Sequence, residues 1–265
     1  MMKQVVVTGI GPVSAIGIGR EAFLEGVACG ACGVSPLSLF DGEHAAAEVR
    51  DFDLAAILPS QKTYLDRASE FALAAGYLAL CDAEVCDIER WQAGVVLGSE
   101  YGCLATMQTF TSSLQQKGAR LANPLLFSHM YVNTPTSLCA IEFGLGGHHG
   151  SYAGRGAGGQ ALESAVEALQ LGRAELILAV GVDAISEPLY RALVAEGTLG
   201  DMAIGEGACA LVLETADHAA QRDITAYPLD DLLQGDAALR AQLGYTFAAE
   251  PFFALAARLF SCVGR

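Results

Sequence analysis

Four short runs constrain this chain more than anything else in it. They are KQVVVTGIG at residues 3–11, AGVVLG at 93–98, AELILAVGV at 174–182 and GACALVLE at 207–214. Each is apolar almost without alternation, which is the signature of a strand covered on both faces. Between them lie segments of helical character. Residues 17–26 read as a short helix, and 66–81 as a long one dominated by Ala and Leu. Residues 101–116 are helix-compatible, 133–143 begin a helix with Pro135 in its first turn, and 189–195 form a short helix. Strand and helix alternate, so the fold class is α/β, layered, with covered sheets. Residues 30–48 read as loop, and Asn123-Pro124 as a break.

The third and fourth runs are preceded by GGHHGSYAGRGAGGQALESAVEALQLG, residues 146–172. Its first half is glycine-dense, so the backbone there turns tightly or approaches something closely. From Ala161 the pattern is amphipathic, with Leu162, Ala165, Val166 and Leu169 on one face and Glu163, Glu167 and Gln170 on the other. A helix N-terminus reached through such a turn has free N–H groups that suit a nucleophile or an anion. The apex of this turn is Arg155.

Two literal motifs in this stretch are weak. Gly154-x-Gly156-x-x-Gly159 matches the dinucleotide fingerprint, the basis of an NAD-binding oxidoreductase reading. Residues 148–152 make a poor strand for it, and the ribose-binding acid would be Glu175 or Asp183, at the wrong end of the next strand. His148 and His149 beside Ser151 suggest a hydrolytic set, but Gly150-Ser151-Tyr152-Ala153-Gly154 is not a Gly-x-Ser-x-Gly elbow.

Composition narrows the partners. The formal net charge of −15 disfavours nucleic acid and anionic membranes. The N-terminus lacks a signal-peptide pattern, and the apolar stretches 71–80 and 251–260 are too short to span a bilayer, so a cytoplasmic location is expected. Of eight cysteines, only Cys29 and Cys32 stand at metal or redox spacing, with no second pair, so no metal site is expected. Residues 217–240 are polar and broken, and 247–260 form an apolar helix that needs a sheet to cover it, from this chain or another.

Together these segments resemble the β-ketoacyl synthase family of the thiolase superfamily. VVVTGIGPVSAIG is similar to its opening strand and turn, and Asp66-Arg67 with the Ala-rich helix to its next helix. Asn123-Pro124 through Asn133, then IEFGLGG, is similar to the segment leading to its nucleophile. GRAELILAVGVDAISEPL and GEGACALVLETADHAAQR follow, and LGYTFAAEPFFALA is an altered form of its histidine motif. The resemblance implies a thiolase-like layered αβαβα fold with an incomplete second half: residues 1–222 as the first half and 223–265 as a shortened remnant of the second.

The departures carry the functional expectation. By resemblance, Arg155, flanked by Gly154 and Gly156, stands at the catalytic cysteine's position, Tyr245 at a histidine's and Arg240 at a lysine's. A guanidinium has no lone pair to attack a thioester. The family's second histidine and its terminal glycine loop have no counterpart. This pattern is similar to the chain length factor, the silent subunit paired with an active ketosynthase in type II polyketide and aryl polyene synthesis. The resemblance implies no cofactor, a ketosynthase partner, and an acyl carrier protein reached through the complex. It also places Leu125, Leu126, Phe127 and Met130 at the interface, where Leu126 and Met130 close the partner's acyl tunnel. Ordinary packing is the competing reading of these four. Glu142, Glu163, Asp230 and Asp231 are the candidate partners of Arg155. A malonyl-carrier decarboxylase or residual acyltransferase is the enzymatic alternative.

Overall fold

The computed structural model describes residues 3–60, 62–85, 90–199, 202–229 and 236–260. The strands are β1 (Val5–Ser14), β2 (Gly17–Ile18), β3 (Val34–Pro36), β4 (Ala45–Ala47), β5 (Ala93–Ser99), β6 (His149–Ala153), β7 (Leu176–Asp183), β8 (Ile204–Gly205), β9 (Gly207–Thr215) and β10 (Tyr227–Pro228). The helices are α1 (Arg20–Cys29), α2 (Leu54–Ile57), α3 (Arg67–Asp82), α4 (Leu104–Lys117), α5 (Pro124–His129), α6 (Thr134–Glu142), α7 (Ala157–Gln170), α8 (Glu187–Ala195), α9 (Ala216–Gln221), α10 (Ala237–Leu243) and α11 (Glu250–Phe260).

The four apolar runs are the centre of one sheet, ordered β10-β1-β9-β7-β5-β6, with β2 paired to β1. β9 is antiparallel to both β1 and β7, while β7, β5 and β6 are parallel to one another. Every residue of β1, β5, β7 and β9 is buried, because helices cover both faces. On one face, Phe71, Leu73 and Leu80 of α3 and Cys139 of α6 pack on Val95, Leu97, Leu178 and Val180. On the other, Leu162, Ala165 and Leu169 of α7 and Phe252, Phe253 and Phe260 of α11 pack on Val96, Ile177, Ala179 and Leu211. The apolar helix near the C-terminus therefore finds its covering sheet within this chain.

Local signals explain most of the boundaries. Asp66 caps α3, accepting from the Ala68 N–H at 3.0 Å, and Asn123 caps α5, accepting from the Leu125 N–H at 3.0 Å. The Asn123-Pro124 break is thus a helix start. The first helix begins at Arg20 rather than residue 17, because Gly17 and Ile18 form β2 against β1. Residues 30–48 are not wholly loop. They supply β3 and β4, which join β8 in a second, three-stranded sheet that no long apolar run announces. Of residues 148–152, read as a poor strand, 149–152 belong to β6, whose backbone pairs with residues 95–99 of β5. As an edge strand it is half covered, so its polar side chains are tolerated.

A third, smaller apolar cluster lies beyond the strand ends. It joins Ile185, Leu189, Leu193, Leu199, Ile204 and Phe247, with Tyr101, Leu104 and Tyr245 packed against it.

Candidate functional site

Three parallel strands end side by side, with Ser99 of β5 paired to Ala153 of β6 and Gly98 to Gly181 of β7. Open α/β sheets place ligand sites at such carboxyl ends. From Ala153 the chain turns through Gly154 (φ 90°), Arg155 and Gly156 (φ 80°) into α7. Those two positive φ values are why glycine brackets the arginine. The start of α7 sits flush on residues 247–249. A Cβ on Gly158 would stand 2.1 Å from the Ala248 carbonyl oxygen.

A buried carboxylate fixes this arrangement. Asp183 ends β7, is fully buried, and accepts from Ser99 Oγ at 2.8 Å and from the backbone N–H groups of Glu100 at 3.0 Å, Tyr101 at 2.9 Å and Ala248 at 3.0 Å. Burial pushes its carboxyl up to about 6, against those four donors. Asp183 thereby ties the segment after β5 to the turn that carries Tyr245 and Phe247. Phe247 holds a left-handed backbone (φ 51°), and its ring meets Tyr101 and Tyr245 at centroid distances of 5.1 and 4.8 Å.

Above this base lies an open cleft of about 610 Å³. Its apolar lining is Leu193, Leu199, Met202, Ile204 and Phe247, and its polar lining is Glu100, Tyr101, Arg155, Glu196, Thr198, Arg240 and Tyr245. Arg240 donates from Nε to Glu250 at 2.8 Å, makes a second bond to it, and lies with Cζ 5.4 Å from the Tyr245 ring centroid. Arg155 is exposed and has no hydrogen bond or ion pair among the described residues. Its charge acts on Glu100, which accepts the Gly156 N–H at 3.1 Å. Burial raises the Glu100 carboxyl above its usual range, while that N–H and Arg155 pull the other way. Burial also raises the Tyr245 phenol, and the charges of Glu100 and Glu250 add to the effect. No cysteine or histidine lines the cleft among the described residues.

The family model of the β-ketoacyl synthase N-terminal domain matches residues 2–219. The chain belongs to the β-ketoacyl synthase family. Within that family, 3-oxoacyl-[acyl-carrier-protein] synthase 2 of Synechocystis is 29% identical over 195 residues, covering 71% of this chain and 47% of the relative. The chain thus spans about half that synthase's length. A β-ketoacyl synthase from Burkholderia phymatum superposes with a TM-score of 0.75 at 25% identity, over 97% of this chain and 71% of that one. The ishigamide ketosynthase/chain length factor superposes with a TM-score of 0.77 at 24% identity, over 85% of this chain and 62% of that one. These superpositions agree with the thiolase-like layered fold of the ketosynthases.

In this family member the structure gathers Gly154, Arg155, Arg240 and Tyr245 in one cleft, with Gly156 on its margin. It does not bring Leu125, Leu126, Phe127 or Met130 there. They lie on and just after α5, which packs on α4, and Leu125 and Phe127 are half exposed. Two expected partners of Arg155 are corrected. Glu142 is held by Ser60 at 2.5 Å and by Lys62, so it is not available. Glu163 is exposed on α7 and absent from the cleft. Asp230 and Asp231 lie outside the described residues. Glu100 is the residue that sequence reasoning missed. Its signal was its place one residue past the end of β5.

The weaker motifs resolve as structure. The dinucleotide fingerprint does follow a strand, β6, but β5 separates β6 from β7, and Asp183 is saturated by four donors inside the protein. Ser151 Oγ donates to Thr136 Oγ1 at 2.8 Å, and His149 Nδ1 lies 2.7 Å from the Gly147 carbonyl, so neither histidine addresses Ser151. Cys29 and Cys32 are free thiols, and no metal-binding cluster occurs among the described residues. No helix among them is long and apolar enough to cross a membrane.

Proposed function

We propose that this chain is the non-catalytic member of a ketosynthase pair, a chain length factor that joins an active β-ketoacyl synthase and shapes its acyl tunnel. One observation carries the reading. The turn from β6 into α7, where this fold offers a side chain to a reacting carbonyl, offers Arg155. Carbon–carbon bond formation by this family's route needs a thiolate to take the acyl group and donors to hold the carrier-bound nucleophile. The polar cleft side chains here are guanidinium, phenol, carboxylate and the Thr198 hydroxyl, which donates to the Leu193 carbonyl at 3.0 Å, and none of them is a thiol that could carry the acyl group as a thioester.

Surface chemistry supports a partner. Leu125 and Phe127 on α5 are 50% and 47% exposed, and Leu121 and Tyr131 beside them 69% and 41%. The Phe127 ring meets those of Phe110 and Tyr131 at centroid distances of 5.6 and 5.2 Å, and exposed apolar clusters of this kind mark interaction surfaces. β6 is the outer strand of the sheet, so its far edge is unpaired among the described residues. The ishigamide ketosynthase/chain length factor supplies a precedent for a pair on this fold. Leu126 and Met130, half-buried at the patch, are the side chains we assign to the partner's acyl tunnel, with the acyl carrier protein engaging the pair.

The test compares elongation of an acyl-carrier substrate by the chain alone, by its ketosynthase partner alone and by the two together. The proposal expects product from the pair and none from this chain. Condensation, or malonyl-carrier decarboxylation, by the isolated chain would overturn it.

A further inference from the structure

At the other end of the parallel strands, where β5 and β6 begin, lies an open depression of about 500 Å³. The turn after α6 is fastened there to the chain entering β5. The Gly146 N–H donates to the Arg90 carbonyl at 2.8 Å, and the Gly147 N–H to the Ala93 carbonyl at 2.8 Å. Arg90 and Trp91 lie close on that turn: a Cβ on Gly146 would stand 2.8 Å from Arg90 Cγ and 3.1 Å from Trp91 Cε3. The guanidinium Cζ of Arg90 sits 5.3 Å from the Trp91 ring centroid. Ala140, Ile141 and Leu145 supply the aliphatic lining, and Gly144 and His149 complete it. Trp91 is 69% exposed and Ile141 77%, so two large apolar side chains stand open to solvent beside a cation.

Charge sets this depression apart. The chain has a net charge of −15, and three other cavities are lined by Asp236 and Glu250, by Glu100 and Glu196, and by Glu100 and Glu250. No carboxylate lines this one among the described residues. Glu142, next in sequence to Ile141, is held by Ser60 and Lys62. Arg90 has the Trp91 ring as its neighbour and no ion pair among the described residues. His149 Nδ1 lies 2.7 Å from the Gly147 carbonyl, which leaves Arg90 to supply the charge. We infer that this depression binds an aromatic carboxylate. The carboxylate pairs with two parallel N–H groups of Arg90, and the ring lies against the Trp91 indole beside Ile141 and Leu145. A single guanidinium suits a planar monoanion better than a phosphate dianion. The volume is that of a small-molecule site, which joins an apolar lining to a few polar anchors. The inference takes nothing from the pairing proposed above, since no residue of α5 lines the depression.

Trp91 is the only tryptophan in the chain, so its emission reports on this site directly. The test titrates the full-length chain with 3-phenylpropanoate, read by Trp91 emission and by calorimetry. 3-Phenylpropanol, which lacks the charge, should bind at least about ten-fold more weakly. Cyclohexanepropanoate, which lacks the aromatic ring, should bind about three- to ten-fold more weakly, and inorganic phosphate should not displace the probe. Arg90→Met should weaken 3-phenylpropanoate about ten-fold or more, and Arg90→Lys should recover part of it. Ile141→Glu leaves the Arg90–Trp91 pair intact and puts a like charge at an exposed position. It should weaken the probe about three-fold or more while the unfolding midpoint stays unchanged. The alcohol binding as tightly as the acid, displacement by phosphate, an unaffected Arg90→Met or Ile141→Glu variant, calorimetric binding without a change in Trp91 emission, or no binding would each overturn the inference.

Discussion

The carboxylate of Asp183 accepts the N–H of Ala248 at 3.0 Å, joining the end of a central strand to a turn 65 residues further on. That bond, with those from Ser99, Glu100 and Tyr101, sets where Tyr245, Phe247 and Glu100 stand around the cleft. In Asp183→Asn the amide NH2 must face backbone donors, and at least one is left without an acceptor. The expected cost is about 3 kcal/mol, a fall in Tm of roughly 6–12 °C. Thermal unfolding checks it.

The same residue predicts a pH dependence. Its folded carboxyl titrates at about 6. An unfolded aspartate titrates near ~3.9. Between those values the folded chain holds a proton that the unfolded chain has released, so this group's contribution to stability falls as pH rises. The contribution is fully present below about pH 4 and gone above about pH 6, worth on the order of 3 kcal/mol. Asp183→Asn should remove that part of the slope of stability against pH between the two limits. An unchanged slope would show that Asp183 does not titrate there.

Arg67 and Glu206 bring two distant motifs together. Glu206 is 1% exposed and receives Arg67 Nε at 2.9 Å and Nη2 at 2.6 Å, besides the N–H groups of Val49 and Ile185. Arg67→Met strands a buried carboxylate and should cost about 3–5 kcal/mol. Adding Glu206→Met should recover a substantial part, and denaturant titration of the single and double variants measures the coupling.

Gly158→Ala tests the contact between α7 and the 247–249 turn. Its Cβ would overlap the Ala248 carbonyl, backbone against backbone, so neither side can yield cheaply. A loss of about 1–3 kcal/mol is expected. Gly30→Ala is the matched control. Its Cβ would meet nothing within 4 Å, so the cost there comes only from its positive φ of 70°. A Gly158→Ala variant no worse than the control would remove the close approach.

Met130→Ala should lengthen the acyl products of the ketosynthase pair, because it opens the end of the tunnel we assign to it. Product chain length by mass spectrometry decides, and an unchanged distribution removes Met130 from the gate.

Much of this was legible in the sequence, for a physical reason. The four central strands are buried on both faces, so their apolar runs are long and unambiguous. The starts of α3 near Asp66 and of α6 near Pro135 read correctly, whereas Asn123-Pro124 reads only as a break and proves to cap and begin α5. The elements that escaped are half-covered. β6 alternates exposed and intermediate residues at the sheet edge, and β3 and β4 are three residues long. In the site, Arg155, Tyr245 and Arg240 were found by their departure from a family pattern. Glu100 was not, because its role depends on the turn at Asp183, a contact spanning 83 residues. The Leu125–Met130 segment, expected at an interface rather than in this chain's own cleft, lies on and just after α5, and none of its residues lines the cleft.

The most direct measurement is mass by light scattering after size-exclusion chromatography, on the chain alone and co-expressed with its ketosynthase partner. The proposed pairing predicts a complex containing both chains, weakened by replacing Leu125 and Phe127 with serine. A chain that elutes as a stable monomer in the presence of every co-expressed ketosynthase would contradict it.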